Sequence, residues 1–154
     1  MKFKIEQVAL NPADPKRAIQ LLKEMGAEDW ARDHVCAKGS VFFRQDEENE
    51  ANLSFNYDML TEANELEVLE YTKGENWMAY HGNRVSHLGM HCSEEELDKW
   101  KVFFRERDIC IAQEVKTHSH TNPVIKGKRL YHYVIFDTFP ILGVDIKFIV
   151  RRDV

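Results

Sequence analysis

Apolar residues along this chain switch between a two-residue and a three-to-four-residue period, and they do so in the same order twice. Residues 3–10 alternate as a strand does. Asn11-Pro12-Ala13-Asp14-Pro15 then starts a helix, because Asp14 can accept from open backbone N–H groups and Pro15 suits the first helical position. Ala18, Leu21, Leu22 and Met25 recur at helical spacing until Gly26 supplies a stop. Three strands are predicted next, over 35–44, 52–57 and 66–71, with the acidic run Asp46-Glu47-Glu48-Asn49-Glu50 read as a solvated hairpin loop. The second half begins with a strand over 85–92 and a capping box at Ser93-Glu94-Glu95-Glu96. Leu97, Trp100, Phe103 and Phe104 form the apolar face of its helix, and strands follow over 110–118, 130–136 and 144–150. The stretch 72–84 reads as a connector in which Asn76-Trp77-Met78 either closes one end of a cleft or packs against the body. Each half is β-α-β-β-β, and the chain is α+β.

The duplication is visible in the polar positions too. Gln7 opens Gln7-Val8-Ala9-Leu10, and 80 residues later His87 opens His87-Leu88-Gly89-Met90. Glu67 in Leu66-Glu67-Val68 is matched after the same 80 residues by Lys147 in Ile146-Lys147-Phe148. A period this long marks a doubled module, not a short-repeat solenoid. Strand alternation then sorts directions. Leu88 and Met90 suit the face under the helix, so His87, Gly89 and His91 share the other face. Val8 and Leu10 turn Gln7 the same way, while Leu66 with Val68 and Ile146 with Phe148 do so for Glu67 and Lys147. Glu70 falls on the opposite face from Glu67. Tyr131 and Tyr133 alternate with His132, so either the tyrosines or the histidine line a cleft.

Composition narrows the partners. A chain of 154 residues with 44% hydrophobic content can bury one ordinary core. Its net charge of −5, without a basic stripe, argues against nucleic acid as partner. No run of residues could span a membrane and the first residues lack a signal peptide's apolar stretch, so a cytoplasmic protein is expected. Cys36, Cys92 and Cys110 are odd in number and far apart, and read as buried thiols in a reducing compartment.

Val85-Ser86-His87-Leu88-Gly89-Met90-His91, Phe136-Asp137-Thr138 with Leu142-Gly143-Val144-Asp145-Ile146-Lys147, and Glu65-Leu66-Glu67-Val68-Leu69-Glu70-Tyr71 stand in a fixed order. Together they resemble the vicinal oxygen chelate superfamily, which includes glyoxalase I, methylmalonyl-CoA epimerase, bleomycin- and fosfomycin-resistance proteins and extradiol dioxygenases. The resemblance covers almost the whole chain. It implies one glyoxalase-like domain over 1–154, with modules at 1–75 and 84–154, whose mostly antiparallel sheet curves as a half-barrel with helices outside. It also implies metal ligands on the first and last strand of each module, which here are Gln7, Glu67, His87 and the residue at 147. A Gln, Glu and His set is similar to that of some glyoxalase I enzymes. Extradiol dioxygenases use two His and one Glu, so Gln7 makes this chain a poor match to them.

Lys147 departs from that pattern, since a protonated amine has no lone pair for a metal. Two readings follow. In one, Gln7, Glu67 and His87 hold a divalent Ni, Zn, Mn or Fe for lyase, isomerase or dioxygenase chemistry on a small, oxygen-rich molecule. His91 then moves the proton or replaces the absent ligand, and Lys147 steadies an anionic intermediate. In the other, the protein is a metal-free small-molecule binding or sequestration module similar to bleomycin-resistance proteins, with Lys147 paired to Glu67. Self-association as a homodimer is what the resemblance implies. His118 and His120 read as surface residues before the loop Thr121-Asn122-Pro123, and no role is assigned to His81 or His132.

Overall fold

A computed structural model describes residues 1–43, 45–61, 64–118 and 127–153, with the side chains of 38–42 and 80–81 outside the description. His120, the Thr121-Asn122-Pro123 segment and the side chain of His81 therefore lie outside the described residues.

The first half runs β1 (Gln7–Asn11), α1 (Pro15–Glu24), β2 (Trp30–Phe42), β3 (Gln45–Asn56) and β4 (Glu65–Lys73). After α2 (Glu75–His81), the second runs β5 (Arg84–His91), α3 (Glu94–Arg105), β6 (Ile111–His118), β7 (Arg129–Phe136), α4 (Phe139–Leu142) and β8 (Asp145–Asp153). The helix starts are those the capping residues predict. Asp14 accepts from the Arg17 amide at 3.0 Å, and Ser93 and Glu96 cap each other reciprocally.

One eight-stranded sheet holds the order β2-β3-β4-β1-β5-β8-β7-β6. That order reads as the same module from either end, so the two halves are related by a pseudo-twofold through the antiparallel β1–β5 pair. Its register, Gln7 opposite Gly89 and Ala9 opposite His87, sets the matched positions beside one another. The pairs β1–β4 and β5–β8 are parallel and the remaining pairs antiparallel. The curl goes on until the outermost strands nearly meet: Phe43 N–H donates to the Ala112 carbonyl at 3.1 Å, and Thr117 Oγ1 to the Cys36 carbonyl at 3.2 Å. The sheet is thus a nearly closed barrel.

Beneath α3, Leu97, Trp100 and Phe104 pack on Met90, Val134, Phe136 and Phe148. Trp100 stacks on Phe148 at 4.9 Å between centroids and Phe104 on Phe136 at 4.2 Å. Phe3 from the N-terminus meets Phe148 edge-on at 5.6 Å, so the opening segment of the chain packs on the second module's core and β1 begins only at Gln7.

Four sequence expectations need correction. The acidic run is not a hairpin loop but the start of β3. It is tolerated there because its carboxylates find partners on neighbouring elements: Glu48 pairs with Lys73 of β4 at 2.7 Å and Glu47 accepts from the Asn76 amide of α2 at 3.1 Å. Next, the connector contains α2. Gly74 precedes it at φ 107°, where a Cβ would come within 2.9 Å of the Asn49 Cβ. Trp77 on α2 is fully buried against Ala112 and Ile135 and so packs into the body. Short α4, which no periodicity signalled, carries the chain between β7 and β8. Finally, the cysteines form no disulfide but are not all buried, since Cys110 is exposed and the other two are half-buried.

Candidate active site

The strands carrying Gln7, Glu67, His87 and Lys147 are the four adjacent central ones, β4-β1-β5-β8, and alternation turns all four side chains to the inner face. Burial agrees: all four are buried, although each is polar or charged. His87 Nε2 lies 2.8 Å from Gln7 Oε1 and 3.4 Å from Glu67 Oε2. Ser86 Oγ sits 3.1 Å from His87 Nδ1, which orients the ring from behind. Gly89 makes room for this cluster, since a Cβ there would stand 3.1 Å from both the Cβ and Oε1 of Gln7.

Lys147 joins this layer without closing an ion pair. Its ammonium lies 4.5 Å above the Tyr133 ring centroid. Among the described residues it has no hydrogen bond or carboxylate within ion-pair distance, although it is only 9% exposed. The expected contact pair with Glu67 is therefore not formed. The interaction is felt at longer range: burial pushes the Glu67 carboxyl up, but the charge of Lys147 and the contact with His87 outweigh it and hold it below its ordinary value. Glu67 Oε2 is buried with no well-aimed hydrogen-bond donor.

Glu65 belongs to the site and was not singled out from the sequence. It lies two residues before Glu67 on the same strand face, and its carboxylate accepts a hydrogen bond from Gln7 Nε2. Burial, and then the neighbouring Glu67 charge, raise its pKa. The alternation that located Glu67 also places Glu65, so the signal was present. On β7 the tyrosines face inward: Tyr131 and Tyr133 line the cleft. His132 is buried on the outer side, between Glu94 at 2.9 Å and Glu114 at 2.7 Å. Glu70 also faces out, accepting from Asn52 at 3.3 Å, and His118 is exposed.

Above this layer is a cleft of about 150 Å³. Its walls include His91, Arg129, Arg151, Asp33, Tyr57 and Tyr131. Burial, and then the charges of Arg151 and Lys147, hold His91 below its ordinary pKa, leaving a neutral imidazole facing the cavity. Desolvation pushes the Tyr57 hydroxyl up to about 12, so it stays a hydrogen-bond donor across the working range. Below the layer, a void of about 40 Å³ is lined by Tyr71, Gln113 and Ile135, with Trp77 packed on Ile135 at that end.

The donor set can be tested against a divalent cation. Oxygen and nitrogen ligands about 2.1 Å from an ion, at right angles to one another, stand about 3 Å apart. Gln7 Oε1 and Glu67 Oε2 lie 2.8 and 3.4 Å from His87 Nε2, and the Glu67 atom is the buried acceptor without a donor. Both spacings from His87 Nε2 are compatible with such an ion once that nitrogen gives up its hydrogen. Lys147 cannot be the fourth ligand.

The curled eight-stranded sheet built from two βαβββ units has the architecture of the vicinal oxygen chelate, or glyoxalase-like, fold. Solved structures agree. Methylmalonyl-CoA epimerase from Streptomyces coelicolor, in complex with 2-nitronate-propionyl-CoA, superposes at TM-score 0.55 and 11% identity, covering 97% of this chain and 98% of that one. The epimerase from Mycobacterium tuberculosis gives TM-score 0.54 and 12% identity over 95% and 86% of the two chains. A hypothetical protein, BH1468 of Bacillus halodurans, gives 0.59 and 10% over 98% and 96%. No protein-family model matches the chain, and no curated protein matches it. Identities this low define the fold alone. No helix among the described residues is long and apolar enough to cross a membrane.

Proposed function

We propose that the cleft binds a small organic acid or acyl compound rich in oxygen and moves a proton on the carbon beside its carbonyl, as an epimerase or isomerase does. The observation that carries this reading is the buried Lys147 ammonium, which faces the cavity without a carboxylate in contact among the described residues. A buried cation of this kind is costly unless something anionic completes it. A substrate carboxylate, or the oxyanion that forms during reaction, does so.

In this scheme the substrate oxygen sits against Lys147. The neutral imidazole of His91 takes the proton from the adjacent carbon, and the electron pair of that C–H bond moves onto the carbonyl oxygen held by Lys147. Returned by His91, the proton restores the original carbon; inversion takes a proton delivered from the opposite face by a second acid, a role the Glu65 carboxyl lining the same cleft can fill, with solvent then resetting both groups. Tyr57 and Tyr131 supply hydroxyl groups for further substrate oxygens. A divalent Ni, Zn, Mn or Fe held by Gln7, Glu67 and His87 would supply Lewis-acid polarisation at the same oxygen. The epimerase neighbours support this choice of reaction, since one is in complex with methylmalonyl-CoA.

The test is hydrogen exchange. Carboxylate-bearing acyl thioesters, methylmalonyl-CoA first, are incubated with the protein in D2O, with and without added divalent metal, and followed by NMR. The expected result is deuterium entry beside the carbonyl, slowed about 100-fold or more by Lys147→Met or by His91→Asn. A second reading, metal-free binding without turnover, is favoured by the same Lys147 charge standing where a fourth donor is expected. It wins if these compounds bind without exchange. Absence of both binding and exchange sinks the cleft as a site for such acids.

A further inference from the structure

We propose that His34, Cys36 and Glu50 form a second site, on the outer face of the β2–β3 hairpin, for a thiophilic divalent cation of the zinc class. The inner cleft takes Asp33 and Val35 from the alternate positions of β2, so His34 and Cys36 point the other way. The register sets Cys36 opposite Glu50 and His34 opposite Asn52, and β3–β4 pairing sets Asn52 opposite Glu70. One imidazole, one thiol and two carboxylates are gathered on a surface that the proposed cleft chemistry does not use.

The hydrogen bonds fix which histidine atom is offered. Asn52 Nδ2 donates to Glu70 Oε2 at 3.3 Å, which turns the amide oxygen toward His34. His34 Nδ1 lies 2.7 Å from that oxygen and so carries the hydrogen. In the neutral ring the lone pair is then on Nε2. This atom faces Glu50 Oε1 at 2.8 Å and Cys36 Sγ at 3.4 Å. The three ligand atoms all lie within 4.8 Å of one another. A carboxylate oxygen and an imidazole lone pair at that distance repel unless a proton or a cation lies between them.

A metal answers all three groups at once. It ionises the thiol, neutralises the carboxylate and takes the lone pair, and nitrogen, sulfur and oxygen donors suit Zn²⁺ in a tetrahedron with one corner open. The carboxylate–amide–imidazole chain from Glu70 through Asn52 is the kind of outer support that orients metal-bound histidines. Cys36 and His34 are half-buried, so an ion can reach them from solvent.

The experiment uses the full chain, reduced and stripped with chelator, titrated with Cd²⁺ while the thiolate-to-cadmium absorption is recorded in the ultraviolet. One equivalent should produce the band. Cys36→Ser should abolish it, His34→Gln should weaken binding at least 10-fold, and Asn52→Ala should weaken it about 10- to 100-fold. Cys92→Ser, Cys110→Ser and His87→Ala should leave it unchanged, which separates this site from the cleft. Should the variants unfold, the unaltered chain still decides, because bound Cd²⁺ must protect Cys36 from alkylation. No band, a band that survives Cys36→Ser, or an unprotected Cys36 overturns the proposal.

Discussion

The two modules share a backbone plan but not a core. In the second, α3 buries Leu97, Trp100 and Phe104 into a cluster of stacked and edge-on rings. In the first, α1 occupies the equivalent place and buries no residue; Leu21 is 56% exposed and Met25 63% exposed. The site shows the same division. The first module gives an amide and a carboxylate, Gln7 and Glu67, while the second gives an imidazole and an ammonium at the matched positions. Strand geometry is thus shared by the two halves, because pairing enforces it, while side-chain chemistry differs between them. One half packs as the anchor and the other leaves a loosely covered face.

The comparison is broken most directly through the anchor. Trp100→Ala should cost about 3–5 kcal/mol, because it removes the ring stacked on Phe148 and contacted by Phe3 and Phe103. For a chain of this size that lowers the melting temperature by about 10 °C or more. Thermal unfolding followed by circular dichroism checks it, and a loss as small as that from an α1 substitution would show that the modules are equally anchored.

Restoring likeness at the site is the next largest perturbation. Lys147→Glu would give both modules a carboxylate at the matched position, beside Glu67 and Glu65, and should destabilise the metal-free protein by about 2–4 kcal/mol. A divalent cation should recover that loss, because it binds the native state and joins the added carboxylate to Gln7, Glu67 and His87. Melting with and without Ni²⁺ or Mn²⁺ reads the effect. Equal shifts in the parent chain would mean that the fourth donor is dispensable.

Much of this arrangement is legible in the sequence. Period changes gave both βαβββ units, Asp14 and Ser93 gave the helix starts, and alternation turned Gln7, Glu67, His87 and Lys147 inward. What escaped has physical causes. The run at 46–50 reads as a loop because its charge density does not reveal its partners, and Lys73 and Asn76 come beside it only on folding. Helix α2 is seven residues long, too short for a periodic stripe. On β7, residues 131–133 present polar or aromatic groups on both faces, so alternation fixed the grouping but not the direction. Packing of Glu94 and Glu114 around His132 decides it. Contact between Lys147 and Glu67 depends on the reach and rotamer of both side chains, which strand direction does not determine.

The outer face of the anchor module carries a titratable link whose worth depends on pH. Burial pushes the Glu114 carboxyl up, but hydrogen bonds from Lys101 and His132 outweigh it and hold the group below its ordinary 4.5. A folded pKa below the unfolded one adds stability that is present above about pH 4.5 and is lost as pH falls through the folded value. Because the group is partly exposed, solvent screening keeps the gain to about 0.5–1 kcal/mol. Glu114→Gln should therefore melt a few degrees lower at pH 7 and match the parent near pH 3. A gap that persists undiminished in acid would assign the effect to packing instead.

The smallest effect is expected on the loosely covered face, and it sharpens the contrast most. Leu21 loses little contact on replacement, so Leu21→Lys should change stability by no more than about 0.5 kcal/mol, in line with other surface substitutions. The same variant tests whether a second copy of the chain covers α1, since a homodimer is what the resemblance implies. Burial of Leu21 and Met25 against a partner would make melting depend on protein concentration and make a lysine there costly. Light scattering and melting curves across a wide concentration range distinguish the outcomes. A concentration-dependent melt that Leu21→Lys abolishes would mean that the first module's core lies between chains, so that the asymmetry seen within one chain is only half of its packing.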